Sequence, residues 1–271
     1  MSSAPGFRAL FAPCAAGLLA AAAGFARAQG SIEEVADCAI RNLPPSAHAH
    51  AKLTTRAKGG AETAIDVEFW SSTSAEGTRK VAVVQRGGPA SGFTGYLVSD
   101  GDAIGEAWAV SKKDGKARKI EERGARARMF ATNLSLEDFA RFGRVVFPGQ
   151  VRRRPDGEID GRKTFVVETK PAPDAGSEYS RIVTSIDREW CLILRREGYE
   201  AGFDKGAKPR KVYQVAPADV KVQDKFANGM RGRMDDAKDG SSTELQVVDL
   251  EVPAKVDESF FTPASLERAA H

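Results

Sequence analysis

Histidine and cysteine are scarce in this chain, with three of each among 271 residues: His48, His50 and His271, and Cys14, Cys38 and Cys191. Most zinc hydrolases and histidine triads need more ligands and bases than these supply. A Gly-x-Ser-x-Gly elbow, a His-Glu-x-x-His helix and a phosphate-cradling glycine-rich loop are also missing. Neither catalysis nor a cofactor is therefore expected. Charge of one sign is lacking too. Forty Lys and Arg stand against 37 Asp and Glu, for a net +3, which gives no overall field to attract nucleic acid.

No apolar run is long enough to cross a bilayer as a helix. The longest, Ala9 to Gly24, falls short of the roughly 20 residues required and is interrupted by Pro13. Arg8 precedes it and Ala26-Arg27-Ala28 follows, the small-x-small pattern read by signal peptidase. Residues 1–28 are thus expected to be a signal peptide cleaved before Gln29, leaving 29–271 as one exported domain. Cys14 lies ahead of most of the run, directly after Pro13, and is not expected to carry lipid. Cys38 and Cys191 then remain alone in an oxidising compartment, where a bridge between them is expected.

What is present is the pattern of an antiparallel sheet. Ser31 to Glu34 forms a capping box for a short amphipathic helix that ends at Leu43-Pro44-Pro45. Ile65, Val67 and Phe69 alternate with Asp66 and Glu68, and apolar stretches at Val81–Val84, Phe93–Val98 and Ala103–Val110 follow. Five Asp-Gly pairs, beginning at positions 100, 114, 156, 160 and 239, are expected to form tight hairpins. Between Met129 and Phe142 the pattern changes. Ser135 can cap a helix with Asp138 at its third position, and Leu136, Phe139, Ala140 and Phe142 give it an apolar stripe. Strand signals resume from Thr164 to Val252, and Thr262-Pro263 starts a last helical turn that holds Leu266. About ten strands cannot stay flat. The expected fold is mainly β: one curved, unclosed antiparallel half-barrel whose concave face is covered by short helices.

Four segments resemble the outer-membrane lipoprotein-sorting family, the LolA-like periplasmic proteins. They are Asp100-Gly101-Asp102-Ala103; Phe130 to Asp138; Gly161-Arg162 before Thr164 to Thr169; and Thr243-Glu244-Leu245 with Phe261 to Leu266. The resemblance implies a periplasmic carrier that binds acyl chains of lipoproteins or lipids and moves them toward the outer membrane. It also implies a monomer that works beside an inner-membrane transporter and binds no nucleic acid. A lipid-binding sensor or adaptor that regulates a membrane partner without moving cargo is the alternative. That family's lid-gating arginine is assigned to no residue here.

For the carrier reading, the expected cavity lining is Ile65, Val67, Phe69, Val81, Val83, Phe93 and Leu97, with Phe130, Leu134, Leu136, Phe139 and Phe142 as a lid. A register error of one residue on any strand would exchange the faces. The basic residues Lys112, Lys113, Lys116, Arg118, Lys119, Arg123, Arg126 and Arg128 are interleaved with Asp114, Glu121 and Glu122, which marks a solvated hairpin rather than a headgroup-binding patch. His48 and His50 share a strand face, but with no third ligand identifiable no metal site is expected.

Overall fold

The computed structural model describes residues 30–75, 78–89, 92–100, 106–121, 126–145 and 148–270. The expected signal peptide and its cleavage site, Gly101 of the first Asp-Gly pair and Arg123 lie outside them. Helix α1 (Ile32–Arg41) leads into β1 (Ser46–Arg56), β2 (Glu62–Thr73), β3 (Arg79–Gly87), β4 (Phe93–Asp100), β5 (Ala107–Ser111) and β6 (Ala117–Lys119). A short α2 (Leu136–Ala140) separates these from β7 (Gly149–Ile159), β8 (Arg162–Pro171), β9 (Arg181–Asp187), β10 (Ile193–Tyr199) and β11 (Lys211–Gln214). The chain ends with a small hairpin of β12 (Val220–Gln223) and β13 (Phe226–Gly229), then β14 (Arg231–Asp236), β15 (Ser241–Glu251) and α3 (Pro263–Ala269). Among the described residues no helix is long and apolar enough to cross a membrane.

Thirteen described strands form one antiparallel sheet in the order β6-β5-β4-β3-β2-β1-β15-β14-β11-β10-β9-β8-β7. Both ends of this order are free, so the sheet is unclosed. The two edge strands, β6 and β7, are consecutive in the chain, and the connection between them carries α2. Topology alone therefore sends the α2 segment from one edge of the sheet to the other.

Side-chain contacts show that the sheet curls around this segment. Arg79 on β3 donates from Nη1 to the carbonyl oxygen of Phe142 at 2.7 Å, and Arg196 on β10 donates from Nη1 to that of Arg141 at 2.6 Å. In a flat sheet, strands six places apart would be separated by about 29 Å, too far for both arginines to reach neighbouring carbonyls. The inner face is apolar. Ala51, Leu53, Ile65, Val67, Val83, Tyr96, Val98, Ala107 and Ala109 pack there with Met129, Phe130 and Leu136. On the outer face, α3 seats the fully buried Leu266 among Ala82, Val84, Leu97 and Val110. Gly95 lies beneath it, where a Cβ would come within 3.4 Å of Leu266.

Most hairpins follow the sequence. Asp160-Gly161 joins β7 to β8 with positive φ at both residues, 45° and 80°. Gly115 and Gly240 likewise have positive φ in the turns after β5 and β14. Asp156-Gly157 is a correction: it lies within β7, where the pairing with β8 shifts register between Arg154 and Gly157, so it bends a strand instead of ending one. Lys112, Lys113, Lys116, Arg118 and Lys119 of the basic stretch are exposed, with Arg118 on Asp114 at 3.1 Å and Lys119 on Glu106 at 3.0 Å.

Cys38 on α1 and Cys191, in the turn between β9 and β10, form a disulfide with a Cα–Cα distance of 5.1 Å. It fastens α1 over a cluster of Val145, Phe165, Val167, Ile186 and Ile193. The cross-link spans 153 residues, and the chain-entropy account assigns such a loop about 4 to 5 kcal/mol. The Cys38→Ser/Cys191→Ser variant should lose stability on that scale in urea unfolding, and the native protein should gain two hydrogens in intact mass on reduction. An unchanged mass, with both thiols alkylated before any reductant is added, would exclude the bridge.

Candidate functional site

The α2 segment is seated by two kinds of contact, apolar on one side and ionic on the other. Its start is a complete capping box: Ser135 Oγ accepts from Asp138 N at 3.1 Å, and Asp138 Oδ2 accepts from Ser135 N at 2.9 Å. Asp138 also meets the sheet. Lys211 Nζ on β11 lies 2.7 Å from Oδ2, and the Tyr179 hydroxyl donates to Oδ1 at 2.5 Å. Tyr179 fits because Gly198 lies under its ring, where any Cβ would overlap it. Glu137, with no exposed surface, pairs with Arg141 at 2.8 Å and accepts from Ser177 Oγ and from Glu178 N. Glu178 in turn binds Lys211 at 3.3 Å and Arg210 at 2.9 Å.

These buried charges titrate in opposite directions. Burial alone would raise Asp138, but the Lys211 ammonium and the Tyr179 hydroxyl outweigh it and hold the carboxyl below its ordinary range. Burial wins at Glu137, which is raised despite Arg141. Lys211 is raised as well, because Asp138 and Glu178 overcome the desolvation that would lower it.

Beneath and beside the segment the inner face leaves two mainly apolar chambers. One, of about 140 Å³, is lined by Ala51, Leu53, Val67, Val81, Val83 and Leu245 of the sheet and by Met129, Phe130, Leu134 and Phe139 of the covering segment. The other, of about 200 Å³, lies between the end of α1, the β12–β13 hairpin, the strands bearing Ile193, Tyr213 and Val247, and Val215 just after β11. Asn42 ties that roof together, donating to the Ala227 carbonyl at 3.0 Å and accepting from Ala227 N at 2.8 Å. Phe69, Arg79 and Phe142 line both chambers and form the partition between them.

The structure places Val67, Phe69, Val81, Val83, Phe130, Leu134, Phe139 and Phe142 on the walls of the 140 Å³ chamber. Ile65 and Leu136 pack in the same inner cluster, fully buried. Leu97 and Phe93 are corrections. Val81 pairs with Val98 and Val83 with Tyr96, so Tyr96 and Val98 point inward and Leu97 points out toward α3. Phe93 is 39% exposed beyond a bulge between Phe93 and Gly95. The run Tyr96-Leu97-Val98 has no polar residue to mark its faces, so the sequence carries no signal for the choice. Sequence reasoning also missed Arg79 and Arg196, whose roles depend on a curl that brings β3 and β10 together, and Ala47, Ala51 and Leu53 on β1.

A family model described as an uncharacterized protein-like family matches residues 89–268. The chain belongs to this family. Its fold is LolA-like. A crystal structure of a domain assigned to outer membrane lipoprotein sorting, from Vibrio parahaemolyticus, superposes with a TM-score of 0.74 at 19% identity, over 87% of this chain and 97% of that one. A DUF1329 family protein from Desulfovibrio piger matches with a TM-score of 0.74 at 18% identity, over 87% and 98%. A LolA superfamily protein from Nitrosomonas europaea gives 0.62 at 17%, over 86% and 98%. No curated protein sequence matches the chain.

The ionic seat makes its own prediction. Lys211→Met leaves Asp138 buried without its cation, and Glu178 with Arg210 alone, and should cost about 3 to 5 kcal/mol at neutral pH. A depressed carboxyl contributes stability above its unfolded value, near pH 4, and loses it as pH falls through the folded value. The difference between Lys211→Met and wild type in denaturant unfolding should therefore shrink below about pH 4. A constant difference across that range would mean that Lys211 acts by packing alone.

Proposed function

We propose that this protein is a periplasmic carrier of acyl chains, taking up lipoprotein or lipid tails in the mainly apolar chambers inside the curled sheet for transport toward the outer membrane. The observation that carries this reading is the pair of chambers inside the curled sheet, whose walls are aliphatic and aromatic apart from a few polar groups such as Arg79 and Thr132. The N-terminal sequence, with its export pattern, supports the compartment, and the LolA-like fold supports the class of ligand. Cavity-lining residues in this reading are Val67, Phe69, Val81, Val83, Phe130, Leu134, Phe139 and Phe142.

The energetics set what such a carrier must do. Each methylene kept out of water is worth about 0.8 kcal/mol, so a sixteen-carbon chain forfeits roughly 12 kcal/mol by diffusing unaccompanied. Each chamber is smaller than the roughly 300 Å³ at which ordinary ligand pockets begin, so in this reading loading needs the Phe142 partition to move. The bonds from Arg79 and Arg196 to the carbonyls of Phe142 and Arg141 hold that end in place, and in this reading opening releases them. The reading is of a binding protein and not a catalyst.

Purified protein should accelerate the movement of a fluorescent phospholipid or a tri-acylated lipopeptide between donor and acceptor vesicles, at many turnovers per protein. Phe139→Asp should reduce binding of the same probe at least tenfold with a smaller effect on the thermal midpoint than Leu136→Asp, whose side chain is fully buried. Stoichiometric binding without accelerated transfer would replace the carrier by the sensor reading, and equal losses of binding and stability in Phe139→Asp would make that helix plain core.

A further inference from the structure

The outer face of β1 carries two histidines that the inner chambers do not use. Alternation along the strand turns Ala47, Ala49, Ala51 and Leu53 into the core and leaves His48 and His50 outside. Pairing with β2 sets Trp70 opposite His48 and Glu68 opposite His50. The structure thereby supplies the third ligand that the sequence did not reveal. His48 Nε2 lies 2.7 Å from Glu68 Oε1 and His50 Nε2 lies 3.6 Å from the same oxygen, and the ligand atoms of the three residues all fall within 4.8 Å of one another.

The groups around this cluster fix it in place. The other oxygen of Glu68, Oε2, accepts from Arg86 Nε at 2.7 Å, and Arg86 Nη1 is held by the Ala269 carbonyl at 2.6 Å, so Oε1 is kept facing the imidazoles. The His48 ring stacks on Trp70, centroids 5.3 Å apart and planes 11° from parallel, and Trp70 is itself packed on Phe260 at 4.6 Å. Across the other side of β1, β15 sets Asp249 opposite His50 and Glu251 opposite His48, which adds negative charge to the face.

We propose that His48, His50 and Glu68 form a binding site for a divalent transition-metal ion of the zinc class. Two imidazoles and one carboxylate suit such borderline ions, whereas calcium and magnesium prefer all-oxygen shells. Bonds of about 2.0 to 2.2 Å place neighbouring ligand atoms of a tetrahedral ion about 3.3 Å apart, and the two separations from Oε1 bracket that value. Small rotations of His48 and His50 complete the geometry. The fourth position faces solvent, because the His50 side chain is 48% exposed. Thiolates do not compete for the ion in the described structure, since Cys38 and Cys191 are bridged. The site is on the face opposite the chambers and stands or falls apart from the carrier reading.

The test is calorimetric titration of the full, tag-free protein with Zn²⁺ at pH 7.5. One equivalent should bind saturably. His50→Ala, which removes a half-exposed ring and should leave the circular dichroism spectrum unchanged, should weaken binding at least about tenfold, the scale seen when a metal site loses even a supporting hydrogen bond. Glu68→Gln should weaken it similarly, and His271→Ala should not alter it. Absence of a saturable one-equivalent site, or wild-type affinity in His50→Ala, would overturn the proposal.

Discussion

The contact between Lys211 and Asp138 decides how this sheet is covered. An open antiparallel sheet with an apolar inner face must bury that face, and the connection between its two edge strands is the piece of chain positioned to do so. Yet α2 has only five residues, too few to be stable by helix propensity. Its capping carboxylate is therefore shared: Asp138 closes the box with Ser135 and at the same time meets a lysine from β11, on the far half of the sheet. One side chain fixes both the helix and its place. The arrangement is costly to build, since burying an ammonium and two carboxylates is repaid only when every partner is present. Its return is positional. An apolar helix face alone could slide along an apolar wall, whereas Asp138, Tyr179, Glu178 and Arg210 allow one position.

Much of this was legible in the sequence where polar residues mark the pattern. Alternation around Asp66 and Glu68 identified the inner face of β2 correctly, because a polar residue separates each apolar one. Ser135 and Asp138 announced their helix, and two cysteines in an expected export product pointed to their bridge. The failures occur where such marks are missing. Phe93 to Val98 is apolar on both faces because α3 covers the outside of the strand as the cluster around Tyr96 covers the inside, and no one-strand pattern can separate the two. The helix expected to run toward Phe142 stops at Ala140: Arg141 N still bonds the Glu137 carbonyl, but Phe142 N reaches back only three residues to Phe139, and arginines from distant strands take the carbonyls of Arg141 and Phe142. The ionic seat was invisible for the same reason: Asp138, Glu178 and Lys211 are far apart in sequence and become neighbours only through the curl.

The two ends of the covering segment differ in how they are held, and the difference bears on how a guest could enter. At its start Asp138 meets Lys211, opposite charges in a nearly dry setting, so separating them exposes charges that no new partner awaits. At its end the bonds join Arg79 and Arg196 to backbone carbonyls, bonds of a charge to a neutral acceptor, which cost less to break than a buried ion pair. Opening is therefore cheapest at the Phe142 end, hinged on the capping box. That end is also where the chambers meet, so a displacement of the Phe142 ring, now packed 4.9 Å from Tyr213, would join the two spaces as it admits a chain. A closed state with small, separate chambers and an open state with one long one would then differ mainly in how much apolar wall is left bare. In the carrier reading an acyl chain would remove that cost by covering the wall itself, so the guest would supply the free energy difference that selects the open form.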